Sequence, residues 1–169
     1  PRLSSAASDV YKRQVNTHGT DPTNTDSDND QLNDNEEINT YDTNPNDKDS
    51  DDDNLKDGDE VKTHGTDPTL EDSDGDGLND GDEIITHGTD PTLEDSDSDG
   101  LIDSDELFNT TWGPTDPNKA DTDDGGQKDG LEVIVDGTNP NDGSDDNLSA
   151  FDDDNDGLTN GEEENIYFT

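Results

Sequence analysis

The chain has 169 residues and a formal net charge of −42, and only 20% of its residues are hydrophobic. A chain this acidic and this poor in apolar side chains does not fold on a hydrophobic core alone, and it repels nucleic acids and anionic lipid surfaces. It has no cysteine, which excludes disulfides and thiolate metal sites, and no apolar run of membrane-spanning length. Multivalent cations are the partners that this composition favours.

The first 14 residues differ in composition from everything that follows, and 9–14 resemble a translated sequencing adapter. We therefore expect 1–14 to be an artefactual or foreign segment. From Val15 onward the chain repeats, because Thr-Asp-Pro or Thr-Asn-Pro occurs six times, mostly at intervals of 23 residues. The register assigns 15–25 to the tail of a truncated repeat and its turn. Because the register is cut at both ends, we expect the chain to be a window from a longer protein.

An acidic run follows each of these turns, and the runs keep the same register. The register predicts five repeats of about 23 residues over 26–141 and an irregular insertion over 142–151. A sixth acidic loop, in a truncated repeat, is predicted over 152–169.

Each acidic run matches a 12-residue loop with carboxylates at positions 1, 3, 5, 9 and 12. Calcium takes about six to eight oxygen ligands, and alternating carboxylates surround one ion without long side chains. Glycine at position 6 permits the sharp turn, and position 7 contributes a backbone carbonyl. The loops that begin at Asp72, Asp95 and Asp152 meet this calcium-loop pattern in full. More than half of the 50 acidic residues lie at these positions, which a merely solvated acidic surface does not require.

The predicted ligands are the side chains at positions 1, 3, 5, 9 and 12 and the backbone carbonyl at position 7. In chain order they are Asp26, Asp28, Asp30, Leu32, Asp34, Glu37, Asp49, Asp51, Asp53, Leu55, Asp57, Glu60, Asp72, Asp74, Asp76, Leu78, Asp80, Glu83, Asp95, Asp97, Asp99, Leu101, Asp103, Glu106, Asp121, Asp123, Gln127, Asp129, Glu132, Asp152, Asp154, Asp156, Leu158, Asn160 and Glu163.

Four loops depart from the carboxylate and glycine pattern, and the mildest departure is Asn160 at position 9 of the loop that begins at Asp152. At position 6, Asn54 and Gln31 replace glycine, and we expect strain at Gln31 because long side chains disfavour left-handed backbone. Gly125 at position 5 removes one ligand from the loop that begins at Asp121, so we expect this loop to be the weakest site.

Acidic loops joined by Thr-Asp-Pro turns, as in 65–72 (Gly-Thr-Asp-Pro-Thr-Leu-Glu-Asp), resemble bacterial thrombospondin type 3 repeats. The resemblance covers 15–169 and implies a calcium-binding stalk or spacer of a secreted or cell-surface protein, in a prokaryote because the chain lacks cysteine. Paired EF-hands are the alternative fold. Only 11 residues separate Glu83 from Asp95, which leaves no room for an exit helix and an entry helix.

We therefore predict a calcium-stabilised, loop-rich repeat solenoid with short helical turns, little regular strand and a minimal hydrophobic core. We expect at least five to six calcium ions, since the chain offers six loops. Each unit would be a loop, a helical turn near 79–86 with Leu78, Ile84 and Ile85 on or near its inner side, and a tight Asx-Pro turn.

The predicted function is a rigid stalk, spacer or fibre segment that folds on binding calcium. The alternatives are a calcium-dependent adhesion module and a linker within a larger secreted enzyme. Other domains of a longer chain are expected partners, and a homopolymeric fibre is a further prediction; nucleic acid binding and membrane insertion are not expected. No nucleophile stands out, and His18, His64 and His87 share one repeat position before glycine, so we predict no enzymatic activity.

Overall fold

The computed structural model describes residues 18–21 and 23–146. The segment 1–14, the start of the truncated repeat at Val15 and the sixth loop at 152–169 lie outside the described residues. The chain forms two compact units, Pro1–Thr92 and Leu93–Thr169. The loops that begin at Asp26, Asp49 and Asp72 belong to the first unit, and those that begin at Asp95 and Asp121 belong to the second.

Every described repeat consists of an acidic loop followed by a short helix that begins at loop position 9. The described residues contain helices and turns and no β-strand. The α-helical turns are α1 (Asp34–Glu36), α2 (Asp57–Asp59), α3 (Asp80–Asp82), α4 (Asp103–Leu107) and α5 (Asp129–Leu131). Wider π-helical turns continue four of them, at Glu37–Tyr41, Glu60–His64, Glu83–His87 and Glu132–Asp136.

Local chemistry fixes the start of α1 and the ends of several helices. At the start of α1, the Asn33 side chain accepts a hydrogen bond from the Glu36 backbone N–H at 3.0 Å. At the other end of the second repeat, the Gly65 N–H donates to the Glu60 carbonyl at 2.7 Å, and Gly65 has the left-handed φ of 82° that stops the helix. These ends confine each helix to eight residues or fewer, and the Asx-Pro turn follows.

The hydrophobic core is minimal, as predicted. The buried hydrophobic residues of the described chain are the position-7 leucines Leu32, Leu55, Leu78 and Leu101. Ile85, which was expected on or near the inner side, is 66% exposed, and Ile84 is only half-buried. The helical turn therefore buries its acidic residues rather than its aliphatic ones.

Consecutive repeats within the first unit pack backbone against backbone. The N–H of Gly58 in α2 donates to the Asp30 carboxylate of the preceding repeat at 3.0 Å, and that of Gly81 in α3 donates to Asp53 at 2.9 Å. A Cβ atom on Gly58 would overlap the Asp30 carbonyl oxygen and lie 2.9 Å from its carbon. Glycine at this place permits each helix to rest on the loop before it.

Candidate calcium sites

In each acidic loop, backbone amides hold the first aspartate in place. In the third loop the N–H groups of Gly75 and Gly77 donate to the two carboxylate oxygens of Asp72, at 2.7 and 3.1 Å. The N–H of Asp76 donates to Asp74 at 3.1 Å. These bonds wrap the backbone around the carboxylates, whose other lone pairs point into the loop for a cation to use.

This wrapping needs left-handed backbone at two places in every described loop. Position 6 was predicted to adopt it, and its φ lies between 82° and 108° in all five loops: Gln31, Asn54, Gly77, Gly100 and Gly126. Position 4 also adopts positive φ, which was not predicted, at Asn29, Asp52, Gly75, Ser98 and Asp124. Gln31, with φ at 88°, therefore carries the strain that the sequence predicts.

The structure divides the predicted ligands of a loop into two groups rather than one. The first group joins positions 1, 3 and 5, whose carboxylate oxygens lie within 4.8 Å of one another. It recurs as Asp26–Asp28–Asp30, Asp49–Asp51–Asp53 and Asp72–Asp74–Asp76. We call it the loop group.

The second group, which we call the inter-repeat group, lies where two repeats meet. It joins positions 5 and 12 of one loop to position 9 of the next, with oxygens again within 4.8 Å. Its members are Asp30, Glu37 and Asp57 at one junction and Asp53, Glu60 and Asp80 at the next. Position 5 belongs to both groups, so a single aspartate faces two potential cation positions.

The position-9 carboxylate, which is predicted to be a ligand in its own loop, is held there by the serine at position 2. The Ser50 N–H and hydroxyl donate to the two carboxylate oxygens of Asp57, at 2.7 and 2.6 Å. Ser73 holds Asp80 in the same way, at 2.8 and 2.6 Å. The serine at position 2 therefore orients the position-9 carboxylate, whose oxygen joins the inter-repeat group behind it.

The position-12 glutamates are fully buried in every repeat that the structure describes. Glu37, Glu60, Glu83, Glu106 and Glu132 are all 0% exposed. Both carboxylate oxygens of Glu37 and Glu132, and one of each of the other three, are buried without a hydrogen-bond donor. Within the part of the chain that the structure describes, no lysine or arginine pairs with any of them.

Burial and neighbouring negative charges make these acids hard to ionise without a cation. Burial above all, with nearby aspartates, raises the pKa of all five glutamates to about 8. The same causes raise the pKa of the position-3 aspartates Asp28, Asp51, Asp74 and Asp97 to about 6. Keeping these groups ionised in the fold therefore carries an electrostatic cost, which either a bound cation or protonation offsets.

The threonine of the Thr-Asp-Pro turn is a residue that the sequence did not single out. Its hydroxyl donates to the position-12 glutamate at 3.1 Å from Thr66 to Glu60, and at 3.0 Å from Thr115 to Glu106. The aspartate of the same turn points elsewhere: Asp67 accepts from the backbone and hydroxyl of Thr69, which makes it a turn former. The repeated threonine, which is buried at Thr20, Thr43, Thr66, Thr89 and Thr115, was the available signal.

The other predicted ligands keep their status as predictions. The position-7 leucines are buried, and the Leu55 N–H donates to Asp53 at 2.7 Å, while their carbonyls remain predicted ligands. The sixth set, Asp152, Asp154, Asp156, Leu158, Asn160 and Glu163, lies outside the described residues.

Comparison with known proteins gives one family and partial matches to solved structures. No curated protein matches the chain significantly. A solved structure titled "Biofilm associated protein - B domain" is 44% identical over 27% of this chain and 11% of its own, with a TM-score of 0.26. A second, titled "Biofilm associated protein - BSP domain", is 46% identical over 25% and 7%, with a TM-score of 0.25. At these TM-scores neither match bears on the fold, and each spans a small part of the other chain.

The family match agrees with the repeats described above. The bacterial TSP3 repeat matches four segments, at 26–48, 49–70, 72–93 and 152–166. The first three are the complete loop, helix and turn units of the first compact unit. The chain therefore carries bacterial TSP3 repeats at these four segments.

Proposed function

We propose that this chain is a calcium-dependent structural module that folds when calcium binds and acts as a stalk or spacer in a secreted or cell-surface bacterial protein. The observation that carries the proposal is the set of position-12 glutamates, which are fully buried, each with at least one carboxylate oxygen that has no hydrogen-bond donor, and which lie beside other carboxylates. A buried unpaired carboxylate costs several kcal/mol unless a cation ligates it, and here the unit recurs in every described repeat.

The chemistry of the two groups favours calcium over other metals. The loop group and the inter-repeat group contain only aspartate and glutamate oxygens. Hard oxygen ligands exclude the metals that prefer sulfur or imidazole. Calcium accepts many carboxylates in a flexible shell, whereas magnesium demands a tight octahedron and keeps several waters. A site with this many convergent carboxylates suits the larger ion.

Electrostatics couples calcium binding to folding. Three carboxylates within 4.8 Å of one another form three repulsive pairs. At an effective dielectric constant of about 20, each pair costs about 3 kcal/mol, so one group costs about 10 kcal/mol. The four buried leucines cannot offset such a cost in every repeat. The metal-free chain is therefore largely unfolded at neutral pH, and calcium supplies the missing free energy.

The inter-repeat group explains how calcium would stiffen a stalk. An ion held by Asp30, Glu37 and Asp57 would join two consecutive repeats, whereas an ion in the loop group orders one loop. Each repeat then provides two cation positions, which exceeds the five to six ions expected from one ion per loop. The predicted homopolymeric fibre has no support in the structure or the comparisons, and it forms no part of the proposal.

A calcium titration of the whole chain, followed by far-UV circular dichroism, tests the proposal. We expect a saturable gain of structure that a chelator reverses and that magnesium at the same concentration does not reproduce. In the variant Glu60→Gln the calcium concentration at the midpoint should rise, because the substitution removes a carboxylate that is 0% exposed in the inter-repeat group. The matched control Glu71→Gln changes an exposed glutamate and should leave the midpoint unchanged. A coil-like spectrum through millimolar calcium would refute the proposal.

A further inference from the structure

The loop that begins at Asp121 lacks the position-5 carboxylate. An aspartate much further along the chain accepts the hydrogen bond that this carboxylate accepts in the preceding loop. In the preceding loop the position-7 amide of Leu101 donates to its own position-5 residue, Asp99, at 2.7 Å. In the Asp121 loop the corresponding amide, that of Gln127, donates to Asp146 at 3.1 Å. Asp146 lies 19 residues further along the chain, in the irregular insertion.

The Asp146 carboxylate also occupies the space of the missing side chain. A Cβ atom on Gly125 would lie 2.6 Å from the Asp146 carboxyl carbon, and closer still to one of its oxygens. It would also lie 2.6 Å from the Cα atom of Gly143. Gly125 therefore makes room for the insertion, and its missing carboxylate is replaced by one that arrives from outside the loop.

The surroundings of Asp146 are those of the other candidate cation sites. Glu132 is 0% exposed, and neither of its carboxylate oxygens has a donor. The carboxylates of Asp146 and Asp123 are near enough for their negative charges to act on Glu132. One oxygen each of Asp121, Asp123 and Asp146 is likewise buried without a donor. Neither nearby lysine is bonded to these carboxylates: Lys119, just before the loop, pairs with Asp124 at 2.9 Å, and Lys128, inside it, donates to the Ser98 carbonyl at 2.8 Å.

We propose that Asp146 is a ligand of the calcium ion bound by the Asp121 loop, in place of the position-5 aspartate that this loop lacks. The inference rests on the proposed calcium binding and assigns a ligand that loop spacing does not predict. The insertion then supplies a calcium ligand. Its turn, at which the Asn139 N–H donates to Asp145 at 3.2 Å, returns the chain to the Asp121 loop. The loop ranked weakest by sequence regains a full set of carboxylates.

The test compares three variants of the whole chain by nuclear magnetic resonance during a calcium titration. The readouts are the backbone amides of Gly126 and Gln127 in the Asp121 loop and those of Gly75 and Gly77 in the Asp72 loop. Asp146→Asn removes the proposed ligand with little change of shape. Asp123→Asn removes a carboxylate of the loop itself. Asp145→Asn is the matched control, an exposed neighbour whose new amide oxygen still accepts the Asn139 N–H.

We expect Asp146→Asn to raise the calcium midpoint of the Asp121 loop at least about tenfold, as Asp123→Asn does, because carboxylate number tunes calcium affinity. The Asp72 loop should respond as in the unaltered chain, and Asp145→Asn should change neither loop. If Asp146→Asn behaves like Asp145→Asn while all loops bind calcium, the assignment of Asp146 is refuted and the proposed function stands. If no loop responds to calcium in the unaltered chain, the proposed function itself fails.

Discussion

Adding one methyl group to Gly58 tests whether the repeats pack as the structure shows. Gly58 lies inside α2 with ordinary helical backbone, so alanine alone would stabilise the helix by about 0.5–1 kcal/mol. The packed repeats reverse that sign, because the Cβ atom would lie 2.9 Å from the Asp30 carbonyl carbon and overlap its oxygen. Relieving the overlap breaks the hydrogen bond from the Gly58 N–H to the Asp30 carboxylate, which contributes about 1.5–3 kcal/mol. The displaced backbone adds about 1–3 kcal/mol of strain.

We therefore expect Gly58→Ala to destabilise the calcium-bound chain by about 2–5 kcal/mol in urea denaturation at saturating calcium. Gly65→Ala is the control: its Cβ meets nothing within 4 Å, so only the left-handed φ of 82° is penalised, by about 1–2 kcal/mol. A Gly58→Ala chain that is more stable than the unaltered one, as helix propensity alone predicts, would refute the packing of α2 on the preceding loop.

Two further predictions concern the loop backbone and the buried acids. Gln31→Gly should stabilise the calcium-bound chain by up to about 1 kcal/mol in the same denaturation assay. The substitution removes the backbone strain of a long side chain at φ 88° and loses one exposed hydrogen bond to Asp59. A loss of stability would contradict the strain. Because the position-12 glutamates have a pKa of about 8 in the fold against a usual 4.5, metal-free folding takes up protons, and its stability falls as pH rises from about 4.5 to 8. In chelator, circular dichroism should therefore show more structure at pH 5 than at pH 8, whereas equal or lower structure at pH 5 would contradict the burial.

The sequence predicts the loop interior well, because its geometry is local. Glycine or asparagine at position 6 anticipates positive φ, and the regular leucine at position 7 anticipates the small core, which both appear. The positive φ at position 4 was not predicted, because residue types such as Asp52 and Ser98 do not by themselves indicate left-handed backbone. Its conformation follows from the amides that must turn toward the position-1 carboxylate.

The arrangement between repeats could not be predicted, because it depends on how one unit rests on the next. Asp57 lies 27 residues after Asp30, and nothing in the spacing of a single loop assigns it to the preceding junction. The glycines at Gly58 and Gly81 were the available signal, since a helix interior gives no local reason for glycine. The contact of Asp146 with the Asp121 loop could not be predicted for the same reason, because the turn that returns it to the loop lies in a segment without repeat register.

Amide hydrogen exchange with and without calcium tests the central claim most directly, namely that bound cations hold this fold together. With calcium, the loop amides bonded to carboxylates, such as those of Gly75, Gly77 and Leu78, should exchange slowly, together with the α2 and α3 amides that cross between repeats. In chelator at neutral pH, the same amides should exchange at the rate of an unfolded chain. Equal protection in both conditions would contradict the account, because the buried carboxylates would then be held without a cation.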